Sequence, residues 1–427
     1  MQTTQKNSPF DALKIRDFRL VIFGRFFMIL AVQMQMTSIG LQIYYQYTLD
    51  QPEKIRFYTL GLIGLFEAIP FILNSLYAGH IADRFSRKKI IILSIIVLCL
   101  GSMFLIFYSN NYFSALQKFT YYPLLFSVAL FGLVRSFIAA STPALISKIV
   151  PRNLYTNATT WTTTVFHTAS ILGPVAAGLI YGWNNSKNAS LTYVVNLIFF
   201  LISLISFFLI HEKGIPEKRE EESIWKSLSA GIKFVFNHKI ILSALSLDLF
   251  AVLFGGAVAM IPAFTDKILR MGPESAGLLR TAPAIGAVIM AIILAIKPPT
   301  KNTGKWLLVS VIAFGVFTIC FGLSTNYWLA FTFLTLTGAF DNISVVIRHT
   351  ILQLQTPENM RGRVSAVNGI FIGSSNEIGS YESGLAARIM GLVPSIIFGG
   401  CMVIGVVLGV NLINPKLKHT EMKDLEK

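Results

Sequence analysis

Long apolar runs, set apart by short polar joints, dominate the chain from near its start to near its end. Several exceed about 18 residues without a break, the length a helix needs to cross a bilayer. Twelve spans can be placed: residues 19–46, 58–80, 89–109, 123–149, 158–182, 191–210, 240–264, 275–297, 305–324, 328–353, 363–389 and 393–413. An even count puts both termini on one side of the membrane. The longest joint, "HEKGIPEKREEESIWKSLSAGIKFVFNHK", falls after the sixth span and divides the spans six and six. Its first half is charged and reads as a solvated linker. Its second half sets Trp225, Leu228, Ile232 and Phe236 at three- and four-residue spacing, the pattern of an amphipathic helix on a membrane face. The expected organisation is a six-helix bundle over 1–210, a cytoplasmic linker with that helix over 211–239, a second bundle over 240–413, and a cytoplasmic tail over 414–427.

Composition agrees with the pattern. Of 427 residues, 54% are hydrophobic and 13% charged, against roughly 25% charged in soluble domains. In a soluble protein the net charge of +15 would suggest a nucleic-acid partner. Here the positive-inside rule accounts for it. With the N-terminus inside, inner segments hold 25 Lys and Arg and outer loops seven: Lys54, Arg56, Lys118, Lys187, Lys267, Arg270 and Arg388. Both termini are therefore expected in the cytoplasm, with the lipid bilayer as partner and no nucleic acid. The first 17 residues are polar and carry no signal-peptide core. Ser8-Pro9 looks like a helix cap, and "FDALKIRDF" like a short amphipathic helix. Cys99, Cys320 and Cys401 lie far apart inside apolar runs and read as packing residues, with no metal spacing.

The halves repeat each other. At an offset of 206, Pro151 meets Pro357, Asn153 meets Asn359, Gly173 meets Gly379 and Gly178 meets Gly384, while Arg135 meets Asp341. A second match sets "GLFEAIP" on "GLLRTAP", so that Glu67 meets Arg280. Internal repeats of this kind are a transporter architecture. Opposite charges at matched positions can pair across a two-fold axis, or match by chance.

Nine charges lie within or near span cores: Arg25, Glu67, Arg135, Asp248, Arg280, Asp341, Arg348, Glu377 and Glu382. Each costs at least about 2.5–3.5 kcal/mol on insertion scales, so ion pairs, a water-filled cavity or proton movement are the usual reasons for keeping one. Asp341, Glu377 and Glu382 are the leading proton-coupling candidates, with Glu67 and Asp248 behind them. A carboxyl shielded from water can load and unload a proton near neutral pH, and Arg135 or Arg348 nearby would oppose the loading. Glu377 and Glu382 are five apart and do not share a helix face. Span 5 carries "TTWTTTVFHTAS", whose hydroxyls can bond their own backbone or face a cavity. His167 within it is a hydrogen-bonded polar residue or a group titrating near neutral pH. Gly369, Gly373, Gly379 and Gly384 suit close helix packing in span 11.

"GHIADRFSRKK", Gly79 to Lys89, resembles the loop signature of the major facilitator superfamily and sits where that family has it, between spans 2 and 3. Gly79, Asp83, Arg84, Arg87, Lys88 and Lys89 match; Ser86 stands where the family usually has Gly. Arg135 in "FGLVRSFIAA" resembles the family's span-4 arginine motif. "ILGPVAAG", with Gly173, Pro174 and Gly178, resembles its span-5 antiporter motif without the adjacent glycine pair. "FDALKIRDFRL", "GLFEAIP" and "GPESAGLLRTAPAIGA" resemble its enterobactin-exporter-like and macrolide-efflux-like branch.

The resemblance implies an all-α integral membrane protein: twelve transmembrane helices in two pseudo-symmetric six-helix bundles, the major facilitator fold. It implies a monomer in a bacterial cell membrane, the plasma membrane of a Gram-positive or the inner membrane of a Gram-negative cell. The activity implied is proton-driven antiport exporting a siderophore or a drug-like small molecule, with lysophospholipid flipping or other export as the alternative. The loop would then be a cytoplasmic gate, with Asp83 pairing with a base or with the start of span 11. Spans 1, 4, 7 and 10 would line the cavity. Arg25, Arg135 and Arg348 would there suit an anionic substrate, and Met34, Met36 and Tyr44 a bulky apolar one. No HExxH, GxSxG or Walker loop occurs. No enzyme activity, cofactor or ATP is expected, and the proton gradient is the energy source.

Overall fold

A computed structural model describes residues 10–113, 115–183, 189–212, 224–297, 302–357, 360–419 and 421. Ser8-Pro9, most of the charged half of the central joint, and the side chains of Trp225 and Leu228 fall outside the described residues. The described residues are all helix and connection, without a strand. Helices satisfy every backbone group internally, which a lipid solvent demands.

Six long helices come first: α1 (Arg16–Gln42), α2 (Glu53–Arg84), α3 (Arg87–Ser109), α4 (Tyr122–Ile149), α5 (Tyr155–Trp183) and α6 (Ser190–Phe208). Helix α1 runs on through a π-helical turn, Ile43–Tyr47. Helix α7 (Ile224–Asn237) follows, then α8 (Lys239–Phe254) and the short α9 (Ile261–Lys267) and α10 (Pro273–Leu279). The chain ends with α11 (Ala282–Ile296), α12 (Thr303–Leu323), α13 (Tyr327–Gln355), α14 (Arg361–Met390) and α15 (Leu392–Ile413). Among the described residues, 11 helical segments are long and apolar enough to cross a membrane. Helix α14 covers the eleventh expected span with 30 residues but is too polar to be counted with them.

Two expected spans are interrupted. The seventh breaks after Phe254 at Gly255-Gly256, passes through a 3-10 turn and resumes as α9, with Pro262 in its first turn. The eighth breaks at Arg280-Thr281, just before Pro283 in the first turn of α11. Proline lacks the N–H that an unbroken helix would need there. Helices α2, α4 and α5 keep Pro70, Pro143 and Pro174 within their length.

By contact the chain forms two compact units: Met1–Ile39 with Ile69–Glu220, and Gly40–Ala68 with Glu221–Lys427. The boundaries cut α1 and α2, whose far ends join the second unit. The first unit packs around Val21, Met28, Ile91, Ile95, Leu98, Phe131, Phe200 and Phe207. The second packs around Leu247, Leu307, Val311, Ile343, Ile347, Val403 and Val407. Helix α7 buries Val235 against Ile241, Leu245, Leu352, Val364 and Val367 and leaves Ile232 and Phe236 exposed. Large apolar side chains such as Leu73, Ile296, Leu412 and Ile413 stand exposed around the molecule, as a bilayer-facing surface requires.

Candidate functional site

Helix α8 carries Asp248 and helix α13 carries Arg348, both in the second unit and both nearly inaccessible, at 5% and 2% exposure. They form an ion pair through Arg348 Nη1 and Asp248 Oδ1. Leu247 and Ile347, one residue earlier on each helix, belong to the apolar core, so the pair sits at its edge. Asp341 lies seven residues before Arg348 on α13, two turns away and near the same face. Its carboxyl feels both Asp248 and Arg348. His349 feels the same two groups. Arg348 Nε has no hydrogen-bond partner among the described residues.

A second charged group surrounds the break before α11. Arg280 feels Glu377 of α14 most strongly, then Glu67 of α2. The helices are brought together by glycine. A Cβ added at Gly64 would lie 2.2 Å from the Glu377 carbonyl oxygen, and one at Gly61 2.9 Å from Gly384 Cα. Only glycines let α2 and α14 approach this closely. The repeat set Glu67 opposite Arg280, and the two are within electrostatic reach. Glu382, one turn and more beyond Glu377, is half-buried and has no hydrogen bond or ion pair among the described residues.

A third group joins the far ends of α1 and α2 to α9. Arg56 is 4% exposed. Its guanidinium lies 3.9 Å from the centre of the Tyr44 ring, donates to the Tyr44 carbonyl at 3.1 Å, and approaches Asp266 at 3.7 Å. Tyr44 donates its hydroxyl to Asp266 at 2.8 Å, and Tyr45 donates to the Pro262 carbonyl at 3.3 Å. The π-helical turn at the end of α1 brings the two tyrosines to the same short helix. Outside this core, Lys267 pairs with Glu53 at 2.6 Å. Nearby, Tyr58 packs on Tyr381 and lies under Arg388.

In the first unit the candidates scatter. Arg25 is half-buried, with no partner among the described residues. Met34 and Met36 are buried, Met34 completely. Arg135 stacks over Phe71 at 5.1 Å, and beside it Asn74 donates to Ser136 at 2.8 Å. His167 packs edge-on to Phe166. The span-5 threonines turn inward on their own helix: Thr159, Thr160, Thr164 and Thr168 each donate to the carbonyl four residues earlier. Helix α5 presses on α1 at Gly173, where a Cβ would lie 2.7 Å from Gln33 Cβ, with Pro174 and Gly178 buried beside it.

The motif "GHIADRFSRKK", expected as a loop, is the last turns of α2 and the first of α3 joined at Phe85-Ser86, and it divides its labour. Ser86 caps α3, its side chain accepting from Lys89 N–H, so a capped helix start replaces a glycine turn. Lys88 Nζ donates to the Phe208 carbonyl at 2.9 Å and the Ile210 carbonyl at 2.5 Å, closing the end of α6. Arg87 reaches the Ala144 carbonyl at 3.4 Å. Gly79 has open space where a Cβ would be. Asp83 and Arg84 are exposed, and Asp83 has no hydrogen bond or ion pair among the described residues.

Helices of membrane length enclosing buried charge define a membrane transporter. The chain belongs to the Major Facilitator Superfamily, whose model matches residues 21–380, and it is a multi-pass secondary transporter, not an enzyme. It is similar to the enterobactin exporter EntS of Escherichia coli (strain K12), at 26% identity over 94% of this chain and 92% of that one. EntS of Shigella boydii serotype 4 matches at 25%, over 93% and 92%. Among solved structures, a D-xylose–proton symporter superposes with a TM-score of 0.74 at 13% identity, covering 97% of this chain and all of that one. The nucleoside transporter NupG gives 0.71 at 11%, covering 93% and 99%. These two likenesses show the fold.

Sequence reasoning missed Arg56, Asp266, Tyr45 and Gln33. Arg56 and Asp266 lie in polar joints, where a charge draws no notice. The pattern Tyr44-Tyr45 before a joint holding an arginine was the available signal.

Proposed function

We propose that this protein is a proton-coupled antiporter of a bacterial inner membrane, with both termini in the cytoplasm, that exports a siderophore or drug-like organic compound by alternating access. The observation that carries the reading is the nearly inaccessible Asp248–Arg348 ion pair, with Asp341 two turns away on the same face of α13. Three ionised groups leave one negative charge unbalanced beside a nearly inaccessible ion pair, and one proton on the half-buried Asp341 restores the balance. Asp341 is the carboxyl free to take it, because Asp248 is committed to the ion pair. The field on the Asp248–Arg348 pair, which ties α8 to α13, changes with that proton. Arg25 and Arg135 favour an anionic cargo, consistent with the name of the relatives. Glu67, Glu377 and Glu382 are secondary proton candidates. In this reading Tyr44, Arg56 and Asp266 close the outer face, and the Asp83 loop closes the inner face in the opposite state.

Proteoliposomes loaded with a pH dye test it. A catecholate siderophore, a macrolide and a lysophospholipid are added in turn to wild type and to Asp341→Asn. The siderophore or the macrolide is expected to move protons through wild type, and Asp341→Asn to abolish the signal while keeping the fold. A signal only with the lysophospholipid would replace the cargo class, and silence with all three would overturn proton-coupled export.

A further inference from the structure

The start of α1 borders a groove of about 590 Å³ lined by Leu13, Arg16, Arg19, Leu20, Ile22, Phe23, Phe26 and Val165. Arg16, Arg19, Leu20, Phe23 and Phe26 follow helical spacing and share one face of α1. The face begins with two cations and continues as aromatic and aliphatic surface. From Arg16 to Phe26 it rises about 15 Å, half of a hydrocarbon core about 30 Å thick. A second wall is fixed in place. The 3-10 turn Ala12–Lys14 is tied to α5 by Ala12 N–H donating to Asn157 Oδ1 at 3.3 Å, and Phe10 packs on Trp161 at 5.8 Å.

The acids nearby are already engaged. Asp17 accepts from the backbone N–H groups of His211 and Glu212 at 3.0 and 2.8 Å, and Asp11 pairs with Lys14 at 2.8 Å. Arg16 is partly engaged as well, its Nη1 2.5 Å from His211 Nδ1 and 3.8 Å from Asp17 Oδ1. Arg19 is exposed and has no hydrogen bond or ion pair among the described residues. The groove therefore offers an uncompensated cation at headgroup level, and Phe23, more than half exposed, below it.

We propose that this groove is a binding site for an anionic phospholipid, its phosphate held by Arg19 and Arg16 and one acyl chain lying along Leu20, Phe23 and Phe26. Charge complementarity selects the headgroup, and the apolar face selects a lipid over a soluble anion. A zwitterionic lipid would bring its own ammonium against the arginines. The site stands on the spanning of a membrane alone and does not depend on what is transported.

The full chain in a neutral detergent, titrated with phosphatidylglycerol or phosphatidylcholine of the same acyl chains and examined by native mass spectrometry, tests the site. Phosphatidylglycerol should be retained several-fold more strongly. Arg19→Gln should lower that retention about fivefold, the worth of one basic group at an anionic surface, without changing phosphatidylcholine. Arg19→Lys should keep most of it, and Phe26→Ser should lower both lipids. Should Arg19→Gln fail to fold, the wild-type lipid preference and the Arg19→Lys variant still decide. Equal retention of the two lipids, or an Arg19→Gln variant indistinguishable from wild type, would overturn the proposal. So would displacement by millimolar inorganic phosphate, which would mark a soluble-anion site.

Discussion

Two charged regions of this transporter treat their acids in opposite ways. At the far ends of α1 and α2, Asp266 takes a hydroxyl from Tyr44 and faces the guanidinium of Arg56, itself buried over the Tyr44 ring. In the Gly79–Lys89 loop, Lys88 and Arg87 are spent on backbone carbonyls, and Asp83 is left exposed. The first region has its charges paired within itself. The second holds an acid ready for a partner. In the proposed alternating-access cycle, contacts made at one end are surrendered when those at the other form.

Breaking the closed region has the largest expected effect. Asp266→Ala leaves the Arg56 guanidinium buried with only a ring and a carbonyl, and an unpaired buried charge costs about 3 kcal/mol or more. A shift of that size moves a two-state equilibrium about 150-fold. A cysteine placed at Thr48, fully buried at this end, in a background without Cys99, Cys320 and Cys401 should react with an impermeant maleimide far faster in Asp266→Ala than alone. Equal rates would mean the cluster closes nothing. Asp248→Asn is the companion test within the second unit. It strands Arg348 at 2% exposure, and about 3–5 kcal/mol of destabilisation should appear as a clear loss of thermal stability. Asp341→Asn, which leaves the ion pair intact, should not show that loss.

The exposed rim of the closed region separates burial from mere pairing. Lys267 and Glu53 meet at 2.6 Å, yet their side chains remain 35% and 58% exposed. Surface pairs of this kind contribute about 0.2–1 kcal/mol. Lys267→Gln should raise the labelling rate at most about fivefold, and 0.5 M salt should mimic it. A response as large as that of Asp266→Ala would show that the rim, not the Arg56 core, holds this end shut.

Much of this was legible in the sequence, and the failures have physical causes. Span length alone located the helices, since lipid thickness fixes how many apolar residues a crossing needs. The cost of embedded charge pointed to Asp248, Arg348 and Arg280, and the internal repeat set Glu67 against Arg280. The pattern did not say that Glu377 would join Glu67 near Arg280, because which helix lies alongside is decided by the Gly61–Gly384 and Gly64–Glu377 approach. Nor did it foresee the breaks in the seventh and eighth spans, although Gly255-Gly256 and Pro283 were in plain view; hydropathy runs through them unchanged. Met34 and Tyr44, offered as cavity lining, are fully buried here. Periodicity assigns a face to a residue but not the neighbour that covers it.

The smallest expected change in stability belongs to the open region. Asp83 is exposed and touches nothing charged among the described residues, so Asp83→Asn should alter the melting temperature by no more than a neutral surface substitution does, within about 0.5 kcal/mol. Its effect should appear in turnover instead. In the proposed cycle, removing the acid withholds the contact that closes the inner face when the outer end opens, so transport is expected to fall while the fold and the outer labelling rate stay as they were. Lys88→Gln sharpens the contrast, because it unties the end of α6 and loses charge-assisted hydrogen bonds worth about 1.5 kcal/mol. That variant should lose stability first and transport only in proportion. Were Asp83→Asn to lose stability and keep its turnover, the loop's acid would be a structural tie like its lysine, and the two ends would not exchange contacts as proposed.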